Sequence, residues 1–264
     1  MSNFHVMAGR NVELAHPSIR RIGMDDLVDA LRLGWRDFME MPSHLMFLAI
    51  IYPIVGVFLA AWTSGTGALP MLFPLMSGFA LLGPVAAVGL YEISRRREAG
   101  MTSTWRNALD VRHSPALPSI IALGLLLFAL FIAWLLTARA LYISLFGDVA
   151  PSSIGAMLAQ IFGTTEGWTL LVTGNLIGFC FAVVVLATTV VAFPLLLDRD
   201  IGAVAAIQTS VRATLANPIA MLAWGLIVAV ALAIGSIPLF AGLAIVLPVL
   251  GHATWHLYRK VIGN

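Results

Sequence analysis

Residues 117 to 138 read LPSIIALGLLLFALFIAWLLTA and decide the fold, because none of them carries an ionisable side chain. A helix needs about 20 mostly apolar residues to cross the hydrocarbon core of a bilayer. A helix also satisfies its own backbone hydrogen bonds, which lipid cannot do. The stretch therefore predicts a membrane-spanning helix.

The composition of the whole chain indicates the same class of protein. Of 264 residues, 60% are hydrophobic and only 11% are charged, with a mean hydropathy of +0.95. Soluble domains carry about 25% charged residues, so we expect a polytopic membrane protein. The net charge of +2 comes from basic residues in short segments between apolar runs, which is typical of membrane topology and not of a nucleic-acid partner. A lone Cys180 excludes an intrachain disulfide.

Six runs are long and apolar enough to be spans, and they predict an all-α helical bundle. The predicted spans are His44–Trp62, Met71–Tyr91, Leu117–Ala138, Trp168–Pro194, Ile219–Pro238 and Phe240–Tyr258. Pro238 separates the last two, because proline cannot continue a helix. We expect three hairpins in one membrane domain over residues 24–264, after a cytoplasmic tail over residues 1–23. The tail has no apolar core of the kind a signal peptide needs, so no cleavage is expected.

The basic residues predict the orientation of the spans. With a cytoplasmic N-terminus, all of them except Arg139 fall in cytoplasmic segments, which is the asymmetry expected when cationic loops resist translocation. Both chain ends are then expected in the cytoplasm. Five or seven spans would instead place one terminus and its charges on the opposite side.

Amphipathic segments precede the hairpins and suggest an internal repeat. Apolar residues recur at helical spacing over Met24–Met41, which predicts a helix in the cytoplasmic interface with Trp35 at headgroup depth. A second amphipathic helix is expected on the outer side, after the candidate caps Ser152 and Ser153. An Arg lies six residues before a Pro in WRDFMEMP, VRHSPALP and VRATLANP, and a basic exit closes each unit. The repeats would be residues 24–100, 101–200 and 201–264, unless the matches arise by chance in an Arg- and Ala-rich sequence.

Four polar residues are candidates for function: Glu92, Asn175, His252 and His256. His252 and His256 lie one helical turn apart and could share a metal or haem, but Ala253 stands where a zinc protease needs its Glu. We favour a hydrogen bond from His252 to a neighbouring helix and a place for His256 at the headgroups. Glu92 is expected to pair with Arg95 or Arg96. No catalytic, cofactor-binding or metal-binding residue is predicted.

The spans contain signals for close packing but no deep charge. Gly174, Gly178 and Ala182 are spaced four apart, which lets helices approach closely, and Asn175 beside them could hydrogen-bond across the interface. Coupled pumps usually carry ionisable groups at membrane depth. Deep in the predicted spans, His252 is the only ionisable side chain. This argues against a coupled transporter.

The stretches GFALLGPVAAVGLYEISRRREAG, LLLDRDIGAVAAIQTSVRATLANP and PVLGHATWHLYR resemble a family of predicted bacterial integral membrane proteins of unknown function, DUF2189. The likeness runs from about Ile22 to the end of the chain. It implies several spans in an inner membrane and gives no catalytic residues. Some relatives carry oxidase-subunit labels, but one intramembrane His cannot supply the ligands of such a centre.

Three functions follow as hypotheses. The first is a non-enzymatic accessory, assembly or membrane-organising protein without a cofactor, in contact with the lipid bilayer and with other membrane subunits or copies of itself. The second is a transporter or channel for a small or lipidic solute, suggested by the repeats and the Pro- and Gly-broken spans. The third, a metal or haem enzyme using Glu92, His252 and His256, is the least supported by the residues.

Overall fold

Helices make up nearly all of the described structure. A computed structural model describes residues 17–41, 56–57, 59–60, 69–238 and 240–263. Its α-helices are α1 (Met24–Glu40), α2 (Leu72–Leu81), α3 (Gly83–Ala86), α4 (Val88–Glu98), α5 (Leu117–Phe146), α6 (Ile154–Gly163), α7 (Thr165–Thr189), α8 (Ala192–Asp198), α9 (Ala203–Ala216), α10 (Pro218–Ser236) and α11 (Leu243–Val261). Leu69–Met71 and Trp105–His113 are 3-10 helices. The predicted all-α class is confirmed.

Among the residues that the structure describes, three helical segments are long and apolar enough to cross a membrane. They are Leu117–Phe146, Thr165–Asp198 and Pro218–Ser236, and they coincide with the third, fourth and fifth predicted spans. Only 28%, 33% and 22% of their most apolar windows is buried within the protein. Most of each segment therefore presents apolar side chains outward, as contact with lipid requires.

The other three predicted spans are not established by the structure. The first lies outside the described residues except at positions 56, 57, 59 and 60. The second is not one continuous helix, because it is interrupted at Leu82 and Ala87; Pro84 has no backbone N–H to give to the preceding turn. The sixth corresponds to α11, which does not reach the apolarity of a span. The count of six spans and their hairpin arrangement stay predictions.

Local sequence signals place several helix starts correctly. Pro118 and Pro218 occupy the first turns of α5 and α10, where a missing N–H has no intrahelical partner to lose. The Oγ atom of Ser153 accepts a hydrogen bond from the Ala156 N–H at 3.1 Å. Ser153 is therefore the N-cap of α6, as its position before the apolar run predicted.

The predicted amphipathic helix at the N-terminal end is present as α1 and packs along α11. Leu27, Ala30 and Gly34 lie on the buried face of α1, whereas Val28 and Trp35 are exposed. The apolar residues of α1 thus divide between a protein contact and an outward stripe. That stripe is consistent with the expected interfacial position, which stays a prediction.

The largest core cluster gathers at one end of the helices. Phe193 of α8, Trp224 of α10, and Trp255 and Tyr258 of α11 are almost fully buried in it, together with Leu27 of α1. The outward apolar surface of the three span-like helices lies beyond this cluster. Residues near the two chain ends meet beside it, where the Arg20 N–H donates to the Val261 carbonyl at 2.8 Å and Ile19 forms an isolated antiparallel bridge with Ile262.

Candidate functional site

A glycine contact brings α1 unusually close to α11. A Cβ atom at Gly34 would lie 2.6 Å from the backbone nitrogen of Ala253 and 2.7 Å from the carbonyl oxygen of Val249. Only glycine allows this approach, because the opposing atoms belong to the backbone and cannot rotate away. The two helices run antiparallel: Asp29, which precedes Gly34 on α1, accepts a hydrogen bond at 2.6 Å from Lys260, which follows Ala253 on α11.

Close approach of the helices buries the carboxylate of Asp37 between α1, α4 and α11. Asp37 is only 2% exposed. One oxygen accepts hydrogen bonds from Ser94 Oγ at 2.6 Å and His256 Nε2 at 2.9 Å, and the other lies 3.1 Å from Arg97 Nε. Arg97 also pairs with Glu40. Two hydrogen-bond donors and one ion-paired guanidinium, from two helices, thus surround one buried carboxylate.

These contacts keep Asp37 ionised. Burial alone would raise the pKa of Asp37, but the hydrogen bonds from His256 and Ser94 outweigh burial, so its pKa is lowered from the ordinary value. An ionised carboxylate only accepts hydrogen bonds, so Ser94 donates its single hydroxyl hydrogen to Asp37.

His252 completes the group from the interior side. It is fully buried, and its Nδ1 atom lies 2.7 Å from Ser94 Oγ. Because the Ser94 hydrogen is given to Asp37, Nδ1 of His252 must donate to the Ser94 oxygen. Hydrogen bonds therefore join Asp37, Ser94, His252 and His256, and Arg97 is joined to them by its ion pair with Asp37. These five residues are here named the polar cluster.

The polar cluster brings together only two of the four candidates from the sequence. His252 bonds a neighbouring helix as expected, whereas His256 bonds Asp37, a buried partner that the headgroup placement did not anticipate. Glu92 lies apart, 3% exposed, with its two oxygens 2.7 and 2.9 Å from Arg95. Asn175 is exposed and donates to the Leu171 carbonyl of its own helix at 2.7 Å. The expected hydrogen bond from Asn175 across a helix interface is therefore absent from the described residues.

The predicted small-residue interface is formed in part. A Cβ at Gly178 would lie 3.1 Å from the ring of Trp134 on α5, and one at Gly174 would lie 3.7 Å from Leu141. Ala182 is exposed. Gly178 thus allows the Trp134 ring to pack closely between α5 and α7, while Ala182 takes no part in a tight contact.

Sequence reasoning missed Asp37, Ser94 and Arg97. Asp37 belongs to a predicted interfacial helix, in which charged side chains are expected to face water. A signal was present nevertheless, because Asp37 follows Leu27, Ala30 and Gly34 at helical spacing and therefore shares their face. A carboxylate on the small-residue face of a helix is expected to be buried when that face packs.

A cleft opens beside the polar cluster and has walls of both charge signs. Its volume is about 320 Å³, and it is lined by Leu33, Arg36, Asp37, Arg97, Glu98, His256, Arg259 and Lys260. Glu98 accepts hydrogen bonds from Trp255 Nε1 at 2.8 Å and Arg259 Nε at 2.9 Å. A hydrogen bond from Lys260 to Asp29 raises the pKa of Lys260. We name this the mixed-charge cleft.

The contacts of the polar cluster favour a structural role over metal binding or acid–base catalysis. Across the described ranges, no three His, Cys, Asp or Glu side chains come together as metal ligands. One nitrogen of each imidazole is already engaged, by Ser94 or by Asp37. The Ser94 hydroxyl is fully buried and hydrogen-bonded, so it is not placed to act as a nucleophile. That the protein has no metal or cofactor stays a prediction.

Comparisons with known proteins agree with a membrane protein and give no activity. No curated protein and no solved structure matches the chain. The resemblance seen in the sequence is confirmed over residues 72–198, which match the model of the family described as predicted integral membrane protein, DUF2189.

Proposed function

We propose that this chain is a membrane-embedded protein without catalytic activity, which serves as an accessory or assembly subunit or organises the membrane around it. The observation that carries the proposal is the distribution of polar groups. Charged side chains at the α1, α4 and α11 contact are bound mainly to one another, as in Asp37 with Arg97 and Glu98 with Arg259. The apolar middles of α5, α7 and α10 are left to contact lipid or another protein.

The positions of the charged residues along the span-like segments support this role over coupled transport. Within the three span-like segments, charges occur only towards the ends, at Arg139, Glu166 and Asp198. A charge at the bilayer centre costs about 2.5–3.5 kcal/mol on insertion scales and usually marks a transport pathway. Helices without such groups are better suited to packing against neighbours.

The described chain ends support an even number of crossings. Residues 18–20 hydrogen-bond residues 261–263 through the Arg20 and Gly263 N–H groups, at 2.8 and 2.9 Å. Segments joined in this way lie on the same side of a bilayer, which favours six spans over five or seven. Combined with the basic residues, this supports the proposal that both ends lie in the cytoplasm and that the membrane is a bacterial inner membrane. Compartment-dependent reporters fused to both ends should be active on the same, cytoplasmic side.

Photocrosslinking in native membranes tests the accessory role. A photoreactive residue at Leu136, Leu176 or Leu226 would sample one outward face of α5, α7 or α10, since all three are more than 60% exposed. We expect at least one position to give a discrete protein adduct of fixed mass. The buried Leu123 is the matched control and should give none. Lipid adducts alone at all three positions, with a monomer in native mass spectrometry, would contradict the accessory or assembly role.

A transporter or channel for a small or lipidic solute is the second candidate. The interruption of the second predicted span at Leu82 and Ala87 favours it, because discontinuous helices line substrate sites in transporters. Proteoliposomes should then show ion leak or lipid scrambling above protein-free vesicles. The rate should fall with His252→Ala or Asn175→Ala, and equal rates in all variants would count against this candidate.

A further inference from the structure

We propose that the mixed-charge cleft binds the headgroup of an aminophospholipid, which carries one phosphate diester and one primary ammonium. This binding site goes beyond the accessory role and does not depend on partner subunits. It is argued from the level of the cleft along the helices, from the charges of its walls and from its size.

The cleft lies at the level where two span-like segments end. Asp198, the last residue of one segment, accepts a hydrogen bond from the Tyr258 hydroxyl at 2.6 Å. Asn217, directly before α10, holds the Arg20 carbonyl at 3.0 Å and the Ile22 N–H at 2.9 Å. Tyr258 is two residues after His256 on α11, and His256 lines the cleft. Ends of membrane spans coincide with the lipid headgroups, so the cleft is within reach of them.

The walls offer cations that are only partly engaged. Arg36 is 64% exposed in its side chain, and its ion pair is a long one, 3.8 Å to Glu40. Arg259 binds Glu98 through Nε at 2.9 Å and lies 3.6 Å from Asp198 through Nη1. A guanidinium has five N–H donors, so both arginines keep donors for a phosphate.

Carboxylates also surround the cleft, so it is not suited to anions alone. Glu98 and Asp37 line the cleft, and Glu40, Asp26 and Asp29 stand around it within 4 Å of its Arg and Lys side chains. Positive and negative groups are therefore nearly balanced. Such a site suits a ligand that is itself neutral overall but carries both signs, rather than a phosphate anion alone.

The size of the cleft and the exposed acceptor on Glu98 favour one kind of zwitterionic headgroup over another. A volume of about 320 Å³ is at the low end of the range of about 300–1,000 Å³ for ligand pockets, which fits a headgroup and not a large substrate. Glu98 keeps 38% exposure in its side chain and has lone pairs beyond those used by Trp255 and Arg259. A primary ammonium can donate to it, whereas the quaternary ammonium of a choline headgroup has no N–H to donate.

Lipid-dependent stability of the full-length protein tests the proposal. Delipidated protein in detergent is titrated with phosphatidylethanolamine, phosphatidylcholine or phosphatidylglycerol of identical acyl chains, and the unfolding temperature and retained lipid are measured. We expect phosphatidylethanolamine to bind most tightly. Arg36→Gln should weaken its binding about twofold to fivefold, the range expected for one exposed ion pair. Arg139→Gln removes an exposed charge elsewhere, 61% exposed, and should leave binding unchanged.

A second variant distinguishes recognition from a general structural effect. Glu98→Gln removes the acceptor proposed for the ammonium and one negative charge, so it should shift the preference from phosphatidylethanolamine towards phosphatidylglycerol. Equal binding of all three lipids, or tighter phosphatidylglycerol binding to the unmodified protein, would overturn the proposal. Equal stabilisation by water-soluble glycerophosphoethanolamine, which keeps the phosphate diester and the primary ammonium, would overturn the assignment to a lipid. Equal losses in Arg36→Gln and Arg139→Gln would show that the cleft is not the site.

Discussion

Replacing Asp37 with Asn should destabilise the packing of α1 more than any exposed charge change. Asn keeps the size of the side chain and one oxygen acceptor but loses the negative charge. Ser94, His256 and Arg97 then face a neutral group, with heavy-atom distances of 2.6, 2.9 and 3.1 Å in the native protein. The new amide also brings N–H groups towards atoms that are themselves donors.

The magnitude follows from the three contacts. A hydrogen bond to a charged group contributes about 1.5–3 kcal/mol, against about 0.5–1.5 kcal/mol for a neutral pair. The two hydrogen bonds to Asp37 give a difference of about 2 kcal/mol, and loss of the ion pair with Arg97 adds to it. Arg97 keeps Glu40 as a partner and is 17% exposed, which reduces the loss. We therefore expect about 2–4 kcal/mol, within reach of the 3–5 kcal/mol seen when a buried ion pair is broken.

Thermal unfolding in detergent, followed by tryptophan fluorescence, measures this loss. For a chain of this size a change of 1 kcal/mol shifts the midpoint by about 2–4 °C, so Asp37→Asn should lower it by roughly 5–15 °C. Asp148→Asn is the matched control, because the Asp148 side chain is 79% exposed and lies 3.4 Å from Arg139. Equal midpoints for Asp37→Asn and Asp148→Asn would refute the reasoning that Asp37 is the buried centre of the cluster.

The remaining predictions concern acid, helix packing and the chain end. Because the pKa of Asp37 is lowered in the folded protein, its ionised form stabilises the fold at pH values above the unfolded pKa of about 3.9. This stabilisation is lost as the pH falls through the folded pKa. An acid titration should therefore show a loss of stability below about pH 4 that is smaller in Asp37→Asn. Gly34→Ala should cost about 1–3 kcal/mol in chemical unfolding, since its Cβ would meet the α11 backbone at 2.6 Å; Gly23→Ala, with nothing within 4 Å, should cost little. Asn217→Ala removes two hydrogen bonds to residues 20–22 and should speed proteolysis of that segment, whereas an unchanged cleavage rate would show that other contacts hold it.

The span-like helices and their starts could be predicted from the sequence because each depends on local chemistry. Leu117–Ala138 lacks ionisable groups, and lipid leaves such a stretch no alternative to a helix. Pro118, Pro218 and Ser153 mark helix starts through donors and acceptors within one turn of the chain. The ion pair of Glu92 with Arg95 was predictable for the same reason, since residues three apart on a helix are neighbours.

Contacts between distant segments could not be predicted in this way. Asn175 has the residue type for a hydrogen bond across helices, yet it donates to its own helix because it faces outward. Its direction depends on how α7 is rotated against α5, and the packing of the Trp134 ring over Gly178 contributes to that rotation. His256 has the pattern of a helix-end residue, but α1 supplies Asp37 as its partner from far along the chain.

Gly34 and Asp37 explain why the polar cluster exists at all. A side chain at position 34 would hold α1 away from Ala253, because the opposing atoms are backbone and cannot move aside. At a larger separation, the short side chain of Asp37 could not stay 2.9 Å from His256 and 2.6 Å from Ser94 at the same time. Burial of the carboxylate therefore depends on the glycine, and the donors on α4 and α11 offset the cost of that burial. The packing of α1 and the electrostatics of the cluster are one property of the fold, carried by two residues three positions apart.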